Sequence, residues 1–327
     1  MRTLKVEKRA WPMHEPFAIS RGVQTETDTV IVTLTDEAGH RGRGEGCGVA
    51  YAGETVHGMM AQIEVVRAPV EAGADRTDLL ALLPPGGARC ALDAALWDLE
   101  AKQSGTTAFA LAGVETPTAK ETAFTIGIRD VAGYEVAAAA RARHALLKIK
   151  VGQDDPLAAV RSARRGAPDS AFIVDPNQSW SVETLKVLAP SLADLGVVLL
   201  EQPIRVGDEA GLDGWTSPVP LCADELINGV GDLDRAAGRF STINIKLDKT
   251  GGLTEGLALA QAARSRGFDL MVGCMAGSSL SMAPAMVLAQ QCVFVDLDGP
   301  LLQSEDWSDG LSYKDGVVQI PEASFWG

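Results

Sequence analysis

The chain has 327 residues, 46% of them hydrophobic, 22% charged and only 5% aromatic, and its 43 acidic against 29 basic side chains leave a formal charge of −14. That length exceeds one small domain and fits a barrel with an accessory domain, while the charge, unrelieved by any run of Lys and Arg, argues against nucleic acid or an anionic membrane surface as partner. Five scattered cysteines without a C-x-x-C pair, no apolar signal core after Met1 and no stretch long enough to span a bilayer read together as a cytoplasmic protein with reduced thiols.

Taken in order, Thr27 to Leu34 is dense in β-branched residues and breaks at Thr35–Gly39 before Gly42-Arg43-Gly44-Glu45-Gly46, which predicts two antiparallel strands and a turn. Helical periodicity follows over Glu54–Glu71 and Gly87–Lys102, the second with Ala91, Ala94, Ala95 and Leu99 at spacings of three and four. Residues 1–114 are therefore expected to form an α+β module.

Beyond Leu111 short apolar runs alternate with helical stretches: 122–127, 145–151, 171–175, 197–202, 221–224, 242–246, 270–273 and 293–298. Eight such runs, each pair separated by room for one helix, predict a (β/α) TIM-type barrel over residues 115–300 rather than an open doubly wound sheet. The last segment, 301–327, carries a turn and strand at Asp315–Ile320 with no helix after it, and is expected to return to the N-terminal module and complete it as a cap.

In a barrel the reactive groups sit at the C-terminal strand ends. Asp175, Glu201 and Asp224 close three consecutive runs. Each could cap a following helix. Gathered together they would repel one another unless a cation held them ionised, and an all-oxygen set suits Mg²⁺ better than zinc.

Lys148 and Lys150, at i and i+2 of the second run, share one strand face, with Leu147, Ile149 and Val151 on the other. Lys246 ends the sixth run, four strands away and so across the barrel mouth. Two bases on opposite walls match a stereochemical inversion at carbon: one removes a proton from one face and the other returns it to the opposite face. Lys148 is placed to add positive charge beside a substrate carboxylate, and a lysine near another lysine and a metal is expected to lose its proton near neutral pH.

These motifs resemble the enolase superfamily, whose members use a Lys or His base with Mg²⁺ to stabilise an ene-diolate. The similarity is greatest to the muconate-lactonizing subgroup and, within it, to the dipeptide epimerases. It runs through Gly44-Glu45-Gly46, Ala91–Asp98, Lys148-Ile149-Lys150, Asp175-Pro176-Asn177, Glu201-Gln202-Pro203, Asp224-Glu225, Ile245-Lys246 with Gly251-Gly252-Leu253, and Gly273-Cys274-Met275.

The resemblance implies Asp175, Glu201 and Asp224 as metal ligands, Lys150 and Lys246 as the two acid/base catalysts, Lys148 beside the substrate carboxylate, and a cap whose loops close over the mouth. It further implies that Asp296 and Asp298, in Asp296-Leu297-Asp298-Gly299-Pro300, hold a dipeptide's α-ammonium group, although one of them could instead cap the turn before Gly299 and Pro300. Arg21 in the early loop is expected to face a glutamate side-chain carboxylate, and Thr125, near the end of the first run, to line the site.

The activity implied is Mg²⁺-dependent epimerisation of the L-Ala-D/L-Glu kind, in the recycling of cell-wall peptides. The same machinery would also suit an o-succinylbenzoate synthase, a cycloisomerase or an N-acylamino acid racemase, substrates without a free ammonium group. Homo-oligomers are frequent among similar proteins. One departure is that many relatives carry Glu two residues after the Gly-Cys-Met element, where this chain has Gly277. The four histidines fall outside the strand ends, against the histidine-dependent branch, and Gly42–Gly46 lacks the spacing of a dinucleotide site.

Overall fold

The computed structural model describes all 327 residues. Its N-terminal part is a three-stranded antiparallel sheet in the order β1 (Arg2–Ile19), β2 (Gly22–Asp36), β3 (Arg41–Gly46), followed by helices α1 (Val56–Val65), α2 (Arg67–Ala72), α3 (Arg76–Leu82) and α4 (Gly87–Ser104). β1 was not anticipated from the sequence. Its one strand partner is β2, and of its 18 residues only Leu4, Trp11 and Met13 are buried, so it lacks the regular apolar alternation of a strand. The single helix expected over 54–71 is broken at Val66, where the backbone leaves helical geometry at φ −99°, ψ 7°.

The glycines of β3 have a packing role. A Cβ at Gly42, Gly44 or Gly46 would lie 2.1 Å from the backbone oxygen of Ala95, Ala91 or Gly87. One face of β3 is thus bare so that α4 can lie directly on it, and the intervening Arg43 and Glu45 point the other way.

The larger part is an eight-stranded parallel sheet: β5 (Phe124–Ile126), β6 (Leu146–Lys150), β7 (Ala171–Asp175), β8 (Val197–Glu201), β9 (Leu221–Ala223), β10 (Thr242–Lys246), β11 (Asp269–Gly273) and β12 (Phe294–Val295). Neighbours in sequence are neighbours in the sheet, with helices between them. The sheet is curled, and the N–H of Ala123 beside β5 donates to the carbonyl of Val295 in β12 at 2.8 Å. Ala123, Ile173, Leu199, Cys222 and Met271 pack together as a small buried cluster on the inner face, while Leu147, Ile149, Phe172, Val174 and Leu200 pack outward in the main core.

The strand period of two carries this inner face upward. Two residues beyond Ala123, Ile173, Leu199 and Cys222 stand Thr125, Asp175, Glu201 and Asp224. The site is therefore the next layer of the barrel interior, continued with polar side chains.

Near the C-terminus β13 (Tyr313–Lys314) and β14 (Val317–Val318) form a hairpin that pairs with β4 (Lys120–Glu121), just before the sheet begins. The chain end then docks on the N-terminal part: Trp326 Nε1 donates to the Ala94 carbonyl at 3.1 Å, and the Gly327 N–H to Asp98 Oδ1 at 2.7 Å. All five cysteines are free, and no helix is long and apolar enough to cross a membrane.

Candidate active site

Register brings the predicted residues to one end of the curled sheet. Lys150 pairs with Asp175 across β6 and β7, and Lys246 pairs with Gly273 across β10 and β11. Gly273 leaves room for its neighbour, since a Cβ there would fall 2.7 Å from Asn244 Oδ1 and 3.0 Å from Lys246 Cε. Over this end lies the β1–β2 hairpin. The Ile128 N–H holds it by donating to the Ala18 carbonyl at 2.8 Å. Between hairpin and sheet is a cavity of about 430 Å³ lined by Arg21, Tyr51, Lys150, Asn177, Lys246 and Cys274 among others.

Asp175, Glu201 and Asp224 are all buried, and each is engaged by ammonium groups. Lys148 Nζ bridges Asp175 Oδ2 at 3.1 Å and Glu201 Oε2 at 2.8 Å, and donates to Asp296 Oδ2 at 2.8 Å. Lys150 donates to Asp175 Oδ2 at 2.5 Å and Asn177 Oδ1 at 3.1 Å, and Lys246 to Asp224 Oδ2 at 2.7 Å.

The electrostatics follow from this crowding. Burial alone would raise Asp175, but Lys150 and Lys148 outweigh it and hold the carboxyl at about 2. Burial likewise disfavours the charge on Asp224, and Lys246 with Lys249 reverse it, keeping Asp224 well below the usual range. Glu201 is the exception: burial and the neighbouring Asp175 push it up to about 8 despite Lys148. Its Oε2 is close to Lys148 but accepts no well-aligned hydrogen bond.

Lys148 and Lys246 are held protonated by the carboxylates around them. Burial works against their charge, yet Asp224 and Glu201 raise Lys246, and Asp296, Glu201 and Asp175 raise Lys148 well above the ordinary value.

As a metal site the arrangement offers oxygen donors only, with Glu201 Oε2 lacking a donor and the Lys148 ammonium standing between Asp175 and Glu201 where a cation's charge belongs. These residues fit a hard cation. With lysines drawn onto the carboxylates, no three acidic, histidine or cysteine side chains converge closely enough to form a finished ligand set.

Asp296 and Asp298 lie beside this group, both buried. The Thr125 N–H donates to Asp298 Oδ2 at 2.6 Å, and Thr125 Oγ1 lies 3.5 Å from Asp296 Oδ1. Burial and the charge of Asp296 push Asp298 up to about 7. With Lys148, Lys150, Lys246, Phe17 and Leu302 they line an inner cavity of about 70 Å³.

Arg21 reaches the mouth from the hairpin but is not a free cation: its Nη1 is 2.6 Å from Glu225 Oε1, and its guanidinium lies over Tyr51 with the carbon 4.9 Å from the ring centroid. At Gly277 a Cβ would fall 2.5 Å from Cys47 Sγ and 2.7 Å from Ser281 Cβ, so this chain has no room for the Glu many relatives carry.

Sequence reasoning assigned no role to Lys249, Glu225, Asn177 or Tyr51. Lys249 is fully buried and clamps Asp224, donating to its Oδ1 at 2.6 Å and its carbonyl at 2.5 Å. The sequence signal for it was a second lysine three residues after Lys246, which a strand-end search does not reach.

Residues 1–113 match the N-terminal domain of mandelate racemase and muconate lactonizing enzyme, and residues 133–324 the enolase C-terminal domain-like family. Over 98% of this chain and 100% of the relative, it is 42% identical to an L-Ala-D/L-Glu epimerase of Escherichia coli. An N-acetyl-D-glutamate racemase of a Pseudoalteromonas species is 43% identical over 77% of this chain and 79% of its own length. Among solved structures, an enolase family member from Agrobacterium tumefaciens with homology to dipeptide epimerases, with bound sodium and L-Ala-L-Glu, superposes with a TM-score of 0.97 at 40% identity over 100% of both chains. With both of its domains matched and relatives of this closeness along its full length, the chain belongs to the enolase superfamily, in the mandelate racemase and muconate lactonizing branch.

Proposed function

We propose that this protein is a metal-dependent dipeptide epimerase of the L-Ala-D/L-Glu type, with Lys150 and Lys246 as its two acid/base groups. One observation carries the reading: the lysines end β6 and β10, four strands apart in an eight-stranded curled sheet, and face a common cavity. The Ala123–Val295 bond supports reading the curled sheet as a TIM-type barrel, in which the two ammonium groups would face one another from opposite walls. Residues 1–114 would serve as cap, 115–300 as barrel and 301–327 as the segment that ties the two together.

In this reading Asp175, Glu201 and Asp224 would hold Mg²⁺, which would supply positive charge to the substrate carboxylate. Lys148 adds a second charge there and disperses the negative charge that develops as the α-proton leaves. Asp224 and Glu201 keep the proton on Lys246, so neutralising those carboxylates frees it to act as a base. Lys150 accepts or returns the proton on the other face, steadied by Asn177.

The ammonium group of the substrate fits Asp296 and Asp298, which Thr125 orients. Arg21 supplies positive charge at the outer end for an acidic second residue, shared with Glu225. A cytoplasmic setting agrees with the five free thiols.

The similarity to an N-acetyl-D-glutamate racemase favours a second reading, racemisation of N-acylamino acids by the same lysines. Proton NMR of L-Ala-L-Glu with Mg²⁺ in D₂O separates them. Loss of the glutamate α-proton and appearance of the diastereomer support the dipeptide reading. Exchange with N-acetylglutamate alone transfers the function to the second.

A further inference from the structure

The inner cavity beside Asp296 and Asp298 is small, about 70 Å³ against about 430 Å³ for the outer one, and it is also lined by Lys148, Lys150 and Lys246. Little of it is left for a side chain on the first residue of a substrate. It ends at Phe17, Thr125 and Leu302, and the same three residues line a separate cavity of about 520 Å³ on their far side. That second cavity has an apolar side made by Phe124, Ile126, Val136, Ala137 and Leu301, with His14, Glu15, Arg129 and Arg141 along the rest of its wall. No residue of the reaction reading reaches into it except Thr125.

We propose that Phe17 and Leu302 form a removable wall that limits the N-terminal residue of the substrate to a small side chain, and that the cavity behind them is a latent pocket for a bulky apolar one. The inference rests on the dipeptide reading, because it places the substrate's first residue at Asp296 and Asp298. Of the three wall residues, Thr125 is fixed: it belongs to β5, and its N–H is bound by Asp298 at 2.6 Å. The side chains of Phe17 and Leu302, by contrast, are held only by packing. Phe17 is half-buried at the far end of β1, past the register shift at Pro12, with its ring edge 3.3 Å from where a Cβ on Gly127 would sit. It also lines the outer 430 Å³ cavity, so this one ring stands where three cavities meet. Leu302 is half-buried at the end of the short helix Gly299–Leu302 that begins directly after Asp298.

The position of the wall gives it selectivity. A first-residue side chain larger than methyl must either displace Phe17 or lift the ammonium group off the two aspartates, and either loses binding that the small residue keeps. Truncating the wall lets the side chain pass into apolar space while the ammonium group stays where it is.

The test compares kcat/KM for L-Leu-L-Glu and L-Ala-L-Glu, read by α-proton exchange in D₂O with Mg²⁺, in the unaltered protein and in Phe17→Ala and Leu302→Ala. Discrimination by side-chain size in an apolar pocket spans about 10- to 200-fold. The Leu-to-Ala ratio is expected to rise at least about tenfold in either variant. Adding Ala137→Leu, which fills the far cavity, to Phe17→Ala should reverse the gain. A ratio unchanged within about twofold in both variants, with L-Ala-L-Glu still turned over, overturns the wall. A gain that survives Ala137→Leu also overturns it, because a loosened hairpin would then be the cause. If the unaltered protein exchanges the α-proton of no dipeptide, the dipeptide reading fails and the wall falls with it.

Discussion

Lys150 and Asp175 stand at paired positions on adjacent parallel strands, and Lys150 Nζ donates to Asp175 Oδ2 at 2.5 Å. Lys246 likewise donates to Asp224 Oδ2 at 2.7 Å, from a position two residues beyond the one level with Asp224 on the neighbouring strand. Each proposed base is thus tied to one proposed metal ligand by a hydrogen bond, which would couple proton transfer to cation binding.

That symmetry makes the two lysines separable by stereochemistry. Lys150→Ala and Lys246→Ala should each lower epimerisation by about 10²–10⁴-fold. Each variant should still exchange the α-proton of one epimer with solvent, and the two should retain opposite epimers. NMR in D₂O with both diastereomers reads this directly; a single variant that exchanges both epimers would rule out the two-base assignment.

Glu201 is a buried carboxyl raised to about 8 by burial and Asp175, and its Oε2, 2.8 Å from Lys148 Nζ, accepts no well-aligned hydrogen bond. A buried group in that state lowers stability in return for function. Glu201→Gln should therefore raise the melting temperature of chelator-treated protein by about 2–4 °C, and weaken Mg²⁺ binding in calorimetry by at least about tenfold. A variant that melts lower and binds Mg²⁺ equally well would remove Glu201 from the ligand set.

For Asp298, raised to about 7 by burial and Asp296, the acid form predominates below neutrality, and only the ionised form pairs with an ammonium group. The kcat/KM for L-Ala-L-Glu should fall as pH drops through about 7. Asp298→Asn should lower that value at pH 8 on the order of a hundredfold, the scale of losing one partner of a buried charge pair, and turnover of N-acetylglutamate should change far less. Equal losses on both substrates would mean that Asp298 is structural.

Asp248 lies outside the reaction and accepts the Cys47 N–H at 2.9 Å. Burial pushes its pKa up to about 7 from the ordinary 3.8. Across that interval the folded chain keeps a proton that the unfolded chain has released, so the contribution of Asp248 to stability falls as pH rises from about 4 to 7. Asp248→Asn keeps an acceptor oxygen and removes the titration. Its urea midpoint should lose less between pH 4 and 8 than that of the unaltered protein; two parallel curves would show that Asp248 does not titrate in this range.

Much of this was legible in the sequence because strand ends in a parallel sheet are marked by a change from apolar to polar residues. Asp175, Glu201, Asp224 and Lys246 were found that way, and the i, i+2 spacing placed Lys148 and Lys150 on one face. All of them meet at one end of the sheet. Local pattern served less well for β1, whose charged residues carry little apolar signal, and for the helix that breaks at Val66.

Tertiary structure alone decided the rest, since each case turns on groups far apart in the chain. The sequence supplied Arg21 as a cation, and only the fold set Glu225 2.6 Å from it, 204 residues away. It supplied lysines expected, near a metal, to lose a proton around neutrality, and only the fold gave Lys246 and Lys148 the buried carboxylates that hold their protons. The bare glycine face of β3, the clamp of Lys249 on Asp224 and the place of Phe17 between two cavities are likewise facts of close approach. A strand's period fixes which way a side chain points; what it meets there is fixed by packing between segments that the period does not relate.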